Sequence, residues 1–255
     1  MSKVQFNGYV IRGISTGETS RIVTLFTLEY GKIRCMAKGV KKSATKEGGA
    51  LELFSFLKGT IYKKENVELG TISSFDIIDS HSEITVEPFK YGYCSALCEI
   101  IDKSLNIDQP QPEIFDTIGS YFKYIHKADR QYAPPLFWSA FIKVIRLLGY
   151  EPELYECVIC GKKNPGRAAF YSPEKGGIIC SKDVSADEHY GKISAKGLRT
   201  LQYFLAKPFS DLVDVKYSNS ILKEVAHFVF TFAEYHIGLR RDLKSFKFLS
   251  QLKRI

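Results

Sequence analysis

Five short runs of strand-forming residues, separated by turn residues, occupy the first 80 of the 255 positions of the chain. They cover residues 4–12, 20–28, 32–37, 51–62 and 67–78. The second and third runs are joined across Tyr30 and Gly31, which predicts a hairpin. The polar run GVKKSATKEGG, at 39–49, predicts a flexible loop between the third and fourth strands.

Five strands in so few residues favour a small closed barrel over an open sheet, because closure removes the unpaired edges. The five-stranded barrel that recurs in nucleic-acid binding is the OB-fold. We therefore expect an OB-fold over residues 1–80.

After residue 80 the hydrophobic period becomes helical. The pattern predicts helices over 88–105, 114–125, 136–148, 194–206 and 220–238, whereas 150–189 is rich in Gly, Pro and Cys. The predicted class is α+β multidomain. The predicted parts are an OB-fold at 1–80, a helical domain at 81–150, a cysteine module inserted at 151–190, and a second helical part with a basic tail at 191–255.

The N-terminus has no apolar stretch of the secretory type, and the chain has no uncharged apolar run of about 18 residues. Its six cysteines are too few for a disulfide scaffold of this length. We expect a soluble protein of a reducing cytoplasm.

Positive charge is concentrated at both ends of the chain, which has a net charge of +8. Residues 1–80 hold 12 basic and 8 acidic side chains, and residues 191–255 hold 12 and 5. The segments between them are slightly acidic. This distribution favours binding of a polyanion.

The basic residues form two candidate nucleic-acid sites, since each neutralised phosphate releases counterions. The first, on the barrel, comprises Arg12, Arg21, Lys32, Arg34, Lys38, Lys41, Lys42 and Lys46. Four nearby aromatic residues could stack on bases, namely Phe6, Tyr9, Phe26 and Tyr30. For Phe6 and Phe26, a position in the barrel core is favoured. The second site comprises Arg240, Arg241, Lys244 and Lys247. The alternative for this tail is an amphipathic helix packed through Leu243, Phe246 and Leu249.

Cys157-Val-Ile-Cys160-Gly161 is a CxxC knuckle, and Cys180 and Asp183 follow 20 residues later at the same spacing. Three thiolates and one carboxylate can bind zinc in a structural tetrahedral site. His189 is a further candidate ligand. A metal-free remnant and a redox pair at Cys157 and Cys160 remain the alternatives.

Enzyme signatures are weak. Residues 13–17 match GxSxG, but they join two predicted strands rather than a strand and a helix, so we interpret them as a turn. We expect no enzyme. A zinc-dependent or redox enzyme is the competing class.

The helical middle offers a possible groove for a short acidic and apolar peptide. Its predicted lining is aromatic and its predicted rim is basic, with a buried bundle core as the favoured alternative. The residues are Phe115, Phe122, Phe137, Trp138 and Phe141, with Arg130, Lys143 and Arg146 at the rim.

Several short stretches, in order, resemble one known family over nearly the whole chain. They are GETSRIVTLFT at 17–27, EYGK at 29–32, AKGVKK at 37–42, GALELF at 49–54, LGYEPEL at 148–154, CVICG at 157–161, GGIIC at 176–180 and RDLKSF at 241–246. On these motifs the chain resembles the bacterial DNA repair family RecO (recombination protein O). Asp183 departs from the cysteine found in many members.

The resemblance implies an OB-fold, a helical domain and a zinc-finger-like insertion. It implies a recombination mediator that binds single- and double-stranded DNA and anneals complementary strands. The implied partners are RecR, the C-terminal tail of the single-stranded-DNA-binding protein and, indirectly, RecA, in the cytoplasm at the nucleoid. The competing interpretation is an RNA-binding or ribosome-associated adaptor.

Overall fold

The computed structural model describes residues 2–16, 20–38, 51–63, 68–163, 168–185 and 189–252. The chain forms two compact units. The first comprises Met1–Phe122 together with Leu243–Ile255, and the second comprises Lys123–Asp242. The predicted parts 81–150 and 191–255 each contain a boundary between these units, and the four-part division stays a prediction.

A closed five-stranded barrel forms the base of the first unit. Its strands are β1 (Ser2–Thr16), β2 (Ser20–Thr27), β3 (Gly31–Ala37), β4 (Phe56–Lys63) and β5 (Leu69–Asp79). They close in the order β1-β2-β3-β5-β4, and every pairing is antiparallel except that of β3 with β5. The barrel is OB-like, which confirms the predicted fold class.

Alternating residues of the strands fill the barrel, as a pleated sheet requires. Val23 and Leu25 on β2, for example, are both fully buried. Their cluster also contains Phe6, Val10, Ile33, Cys35, Leu57 and Ile61.

The predicted fourth strand is wrong at its start. Residues 51–55 form a turn, and Phe54 adopts a positive φ of 75°. The Phe54 N–H donates to the Val10 carbonyl at 2.8 Å, and the Val10 N–H donates to the Ser55 carbonyl at 3.0 Å. The turn is hydrogen-bonded to β1, and its residues Leu51 and Phe54 are buried. Apolar residues buried by a turn give the same sequence pattern as a strand.

Seven helices and three further strands follow in the described residues. They are α1 (Ser82–Val86), α2 (Pro88–Ser104), α3 (Pro112–Lys127), α4 (Ala133–Leu147), β6 (Ala168–Ser172), β7 (Gly177–Ile179), β8 (Gly191–Ser194), α5 (Ala195–Ala206), α6 (Asn219–Ile237) and α7 (Lys244–Leu252). The five predicted helices are present, with ends that agree within three residues. None of the helices in the described ranges has the length and apolarity that a membrane crossing requires.

Two features were not predicted from the sequence, namely α1 and the small sheet β7-β6-β8 of the second unit. Strands of three to five residues are too short to show a period. The predicted N-cap of α5 is confirmed, since the Ser194 hydroxyl accepts from the Gly197 N–H at 3.0 Å.

An aromatic cluster packs α3 on the barrel within the first unit. The Tyr9 ring lies 4.8 Å from Phe56, 5.2 Å from Phe115 and 5.4 Å from Phe122. A Cβ on Gly119 would lie 2.5 Å from the Tyr9 hydroxyl oxygen, so glycine permits this close approach. Burial, with Asp79 and Asp116 nearby, raises the pKa of Tyr9 to about 12.

The C-terminal helix α7 packs on α2. The Glu99 carboxylate accepts from the Ser245 N–H at 3.1 Å, the Ser245 hydroxyl at 2.9 Å and the Lys244 N–H at 3.2 Å, which caps α7. Burial alone would raise the pKa of Glu99, but these hydrogen bonds and Lys103 outweigh it and lower the pKa. Leu249 is buried against Gly92 of α2, and so the alternative of a packed amphipathic helix describes this segment.

We expect Gly59→Ala to destabilise the barrel by about 1–3 kcal/mol, because overpacking forces the backbone to shift. The new Cβ would lie 2.4 Å from the Ser74 carbonyl oxygen and 2.9 Å from the Phe6 ring. Urea unfolding measures the difference. The matched control is Gly13→Ala on β1, where the obstacle is the movable end of the Arg21 side chain. Equal stability of the two variants would contradict the packing argument.

We expect Glu99→Gln to lower stability by about 1 kcal/mol at pH 7, because it weakens the cap of α7. A pKa lowered in the folded state stabilises the protein above the unfolded-state value of about 4.3, and this contribution is lost as the pH falls. The gap between wild type and variant should therefore narrow on acidification below about pH 4. Unfolding curves over a pH series test this, with Glu151→Gln at an exposed position as the control. A gap that stays constant with pH would contradict it.

Candidate nucleic-acid interface and metal centre

Four of the predicted cations lie on β1, β2 and β3 or directly after β3. Arg12 is 52% exposed and Arg34 45% exposed, while Arg21 is partly buried and Lys38 is exposed. Arg12 and Arg34 are both register partners of Thr24, so two strand spacings of about 4.8 Å separate their backbones. Arg21 pairs with Ala37, which precedes Lys38. The barrel therefore gathers these cations on three adjacent strands.

Acidic residues partly neutralise this surface. Arg12 pairs with Asp102 at 2.9 Å, Arg21 with Glu52 at 3.3 Å and Arg34 with Glu68 at 3.8 Å. The Arg34–Glu68 pair joins two exposed side chains, and such pairs contribute little stability, whereas Asp102 and Arg21 are less exposed. A phosphate can therefore compete most readily for the Arg34 guanidinium group.

Lys32 differs from the sequence-based expectation. Its side chain is buried, it donates to the Asp102 carbonyl, and its Nζ lies 3.5 Å from the Asp102 carboxylate. Both polar groups come from a residue 70 positions away on α2. Lys32 joins the barrel to α2 and does not face a polyanion.

The remaining barrel candidates, Lys41, Lys42 and Lys46, lie outside the described residues. Of the tail candidates, Arg240 and Arg241 are exposed in the second unit, and Lys244 and Lys247 are exposed on α7 in the first. The predicted tail site is thus divided between the two units.

Among the stacking candidates, Phe6 and Phe26 are fully buried, which confirms their assignment to the core. Tyr9 is also buried, in the cluster with α3. Tyr30 is half-buried. The barrel candidates other than Tyr30 are therefore not available for stacking on bases.

The aromatic residues of the predicted groove are buried. Phe115 and Phe122 lie in the first unit, whereas Phe137, Trp138 and Phe141 are buried in the second. In the second unit, Trp138 and Phe141 pack against Phe230 at 5.5 and 5.7 Å. The alternative of core packing describes all five residues.

Lys143 is not a rim residue. It is buried, and its Nζ donates to the Phe204 and Lys207 carbonyls at 2.6 Å each, at the end of α5. Burial, with Arg146 nearby, lowers the pKa of Lys143 to about 8. This lysine therefore satisfies the last carbonyls of α5.

The four predicted metal ligands are brought together. The ligand atoms of Cys157, Cys160, Cys180 and Asp183 all lie within 4.8 Å of one another. The Cys160 and Cys180 sulfurs are 3.6 Å apart, and one Asp183 oxygen lies 3.2 Å from the Cys157 sulfur and 2.7 Å from the Cys180 sulfur. His189 is not one of the four. The cluster can hold a metal ion.

The knuckle geometry follows from the sequence. Gly161 adopts a φ of +69°, which favours glycine and closes the turn. The Cys180 N–H donates to the Cys157 sulfur at 3.3 Å. Burial would raise the pKa of Cys157, but backbone N–H groups of Cys160, Cys180 and Ile159 lower it overall. Hydrogen bonding to Asp183 raises the pKa of Cys160 to about 12.

Asp102 and Glu99 were not predicted from the sequence as residues with a role. Each carboxylate contacts a distant element, Asp102 the barrel and Glu99 α7. Their spacing of three on α2 indicates a shared helix face, which is the only local signal they carry.

Comparison with known protein families gives two matches, both to one family. The family model described as Recombination protein O N terminal matches residues 1–81, and that described as Recombination protein O C terminal matches 86–245. The chain belongs to the RecO family of DNA repair proteins.

Three curated relatives of the RecO family align with this chain over nearly their whole length. The DNA repair protein RecO of Bacillus pumilus is 30% identical over 250 residues, covering 98% of this chain and 94% of the relative. That of Exiguobacterium sibiricum is 30% identical, with 96% and 95% covered. That of Thermoanaerobacter is 27% identical, with 99% of both covered. The resemblance inferred from the sequence motifs is thereby confirmed.

Proposed function

We propose that this RecO-family chain is a recombination mediator that binds single- and double-stranded DNA and anneals complementary strands. We further propose that it acts with RecR to load RecA onto DNA coated by the single-stranded-DNA-binding protein, in the cytoplasm at the nucleoid. Membership of the family supports this function. The observation that carries the DNA half is the group of three exposed cations, Arg12 on β1, Arg34 on β3 and Lys38 directly after β3.

The proposed mechanism is electrostatic and needs no covalent step. Two strands of DNA repel each other, and a protein with a net charge of +8 screens both and raises their local concentration. Arg12, Arg21, Arg34 and Lys38 are the proposed contacts on the barrel, with Lys41, Lys42 and Lys46 of the following segment. Arg12, Arg21 and Arg34 each form an ion pair with a carboxylate, which competes with a DNA phosphate for the guanidinium group. Each phosphate is therefore bound weakly enough for the bases to exchange pairing partners.

Arg240, Arg241 and Lys244 remain proposed contacts outside the barrel. The burial of the predicted groove aromatics removes them as the site for the tail of the single-stranded-DNA-binding protein. That partner is proposed on family membership alone.

Zinc is the metal that the cysteine cluster fits best. A Zn–S bond of about 2.3 Å in a tetrahedron places two sulfurs about 3.8 Å apart, close to the 3.6 Å between Cys160 and Cys180. Three thiolates are soft donors that suit zinc, and a carboxylate oxygen is an acceptable fourth ligand. Zinc would hold the knuckle at 157–161 to the end of β7, a structural role.

We expect Arg34→Glu with Lys38→Glu to weaken single-strand binding and to flatten its salt dependence. The slope of log affinity against log salt should fall by about 0.7 for each phosphate that the variant no longer neutralises. A labelled oligonucleotide titrated across a salt series measures this. The matched control is Lys216→Glu with Lys223→Glu, two exposed lysines of the second unit that give the same change in net charge.

An unchanged slope in the barrel variant would exclude Arg34 and Lys38 from the interface. No binding by wild type at low salt would overturn the DNA function altogether. RNA of the same sequence is the comparison ligand, and tighter binding of RNA than of DNA would favour the RNA-binding alternative.

We expect the wild-type chain to hold one zinc ion and Cys157→Ser with Cys180→Ser to hold none, because two of four donors are removed. The variant should unfold at a lower temperature, since binding of a structural metal contributes to folding. Metal analysis and thermal unfolding measure both effects. Asp183→Cys should keep the zinc, and Asp211→Asn at an exposed position is the control. Wild type without zinc after refolding in its presence would contradict the assignment.

A further inference from the structure

On the surface of the second unit, two tyrosine rings each contact the same histidine ring. Tyr150 follows α4 directly, where Gly149 adopts a φ of +92° and the Tyr150 N–H donates to the Ile145 carbonyl at 3.1 Å. The Tyr150 ring stacks on His236 at 4.9 Å with an interplanar angle of 22°. Tyr235 meets the same histidine edge-on at 5.0 Å. We call Tyr150, Tyr235 and His236 the aromatic platform.

The two tyrosine rings of the platform are exposed to solvent. Tyr235 is 57% exposed and Tyr150 40% exposed, and His236 joins them to buried Phe232 at 5.7 Å. Single exposed aromatics are ordinary, whereas a contiguous exposed group marks a binding surface. Because the histidine is anchored to the core, little conformational entropy would be lost when a flat ligand stacks on the platform.

The chain next to the platform is basic. α6 ends at Ile237, and Arg240 and Arg241 follow within four residues. Arg241 is fixed beside the last turns of α6, since its guanidinium lies 3.3 Å from the Thr231 hydroxyl, 3.7 Å from Glu234 and 5.8 Å from the Phe230 ring. The C-terminal end of a helix repels anions, so these arginines must supply any attraction for phosphate.

We propose that the aromatic platform stacks an unpaired nucleobase, while Arg240 and Arg241 bind the adjoining phosphates. This inference rests on the proposed DNA function and adds a second contact to it, in the other unit from the barrel. Every base has a π-face, so such a platform binds single strands without preference for sequence. The two arginines favour a polyanion over an apolar peptide segment as the occupant.

The chemistry also distinguishes single strands from duplexes. In a duplex each base is already stacked and paired, and its π-faces are not available to the platform. The platform would therefore bind strands before they anneal and release them as pairing proceeds. This property suits a protein that must dissociate from the annealed duplex.

The test compares Tyr235→Leu, which removes the ring, with Tyr235→Phe, which keeps it, in the full chain. The probes are a labelled oligothymidine, a duplex of the same length and an abasic strand with the same phosphates. We expect Tyr235→Leu to bind oligothymidine about 5- to 100-fold more weakly, while Tyr235→Phe stays within about twofold of wild type. The duplex and the abasic strand should bind equally well to all three proteins. Tyr155→Leu, at another exposed tyrosine of the second unit, is the matched control.

Two results would overturn the inference. One is wild-type affinity of Tyr235→Leu for oligothymidine, which would leave the DNA function intact and make the platform a candidate protein contact. The other is an equal loss of affinity for the abasic strand, which would indicate an effect on charge or folding instead of stacking. If wild type itself fails to bind oligothymidine at low salt, the platform and the proposed function fall together.

Discussion

Closure of the barrel through β3 and β5 is the constraint on which the arrangement of the first unit depends. In the described residues three register pairs join these strands, Arg34 with Leu69, Cys35 with Gly70 and Met36 with Thr71. A Cβ on Gly70 would lie 3.3 Å from the Cys35 sulfur, so the strands meet closely there. Every strand then has two neighbours, so no strand of the barrel has an unpaired edge that must be protected from other chains. The outward side chains of β1 to β3 can therefore carry charge that serves another purpose.

The same closure explains how the barrel is joined to its helices. Lys32 and Arg12, on β3 and β1, both contact Asp102 of α2. One carboxylate thus fixes the helical layer by charge, while Tyr9 fixes α3 by aromatic packing. The strand surface beneath α2 is consequently covered, whereas Arg12, at its margin beside Asp102, stays half-exposed, as does Arg34.

A structural feature can be predicted from the sequence when the residues that produce it lie close together along the chain. Strand and helix positions depend on local periodicity and turn residues, so the barrel and five helices could be predicted. The cluster of Cys157, Cys160, Cys180 and Asp183 could be predicted too, because two CxxC-like spacings encode a local geometry that Asp183 preserves. Lys32 and Lys143 were misassigned because their partners, Asp102 and the end of α5, lie about 60 to 70 residues away. The short strands of the second unit carry too few residues for any period.

The return of α7 to the first unit has a consequence for the order in which the molecule is made. The chain leaves this unit after Phe122 and returns to it at Leu243. Helix α7, which is capped by Glu99 and packs against Gly92, therefore emerges from the ribosome only after all of 123–242. During synthesis the barrel can close early. The face of α2 that α7 covers in the folded protein stays exposed until α7 has been synthesised. A nascent chain arrested anywhere between these points would therefore present an apolar helix surface to chaperones and proteases.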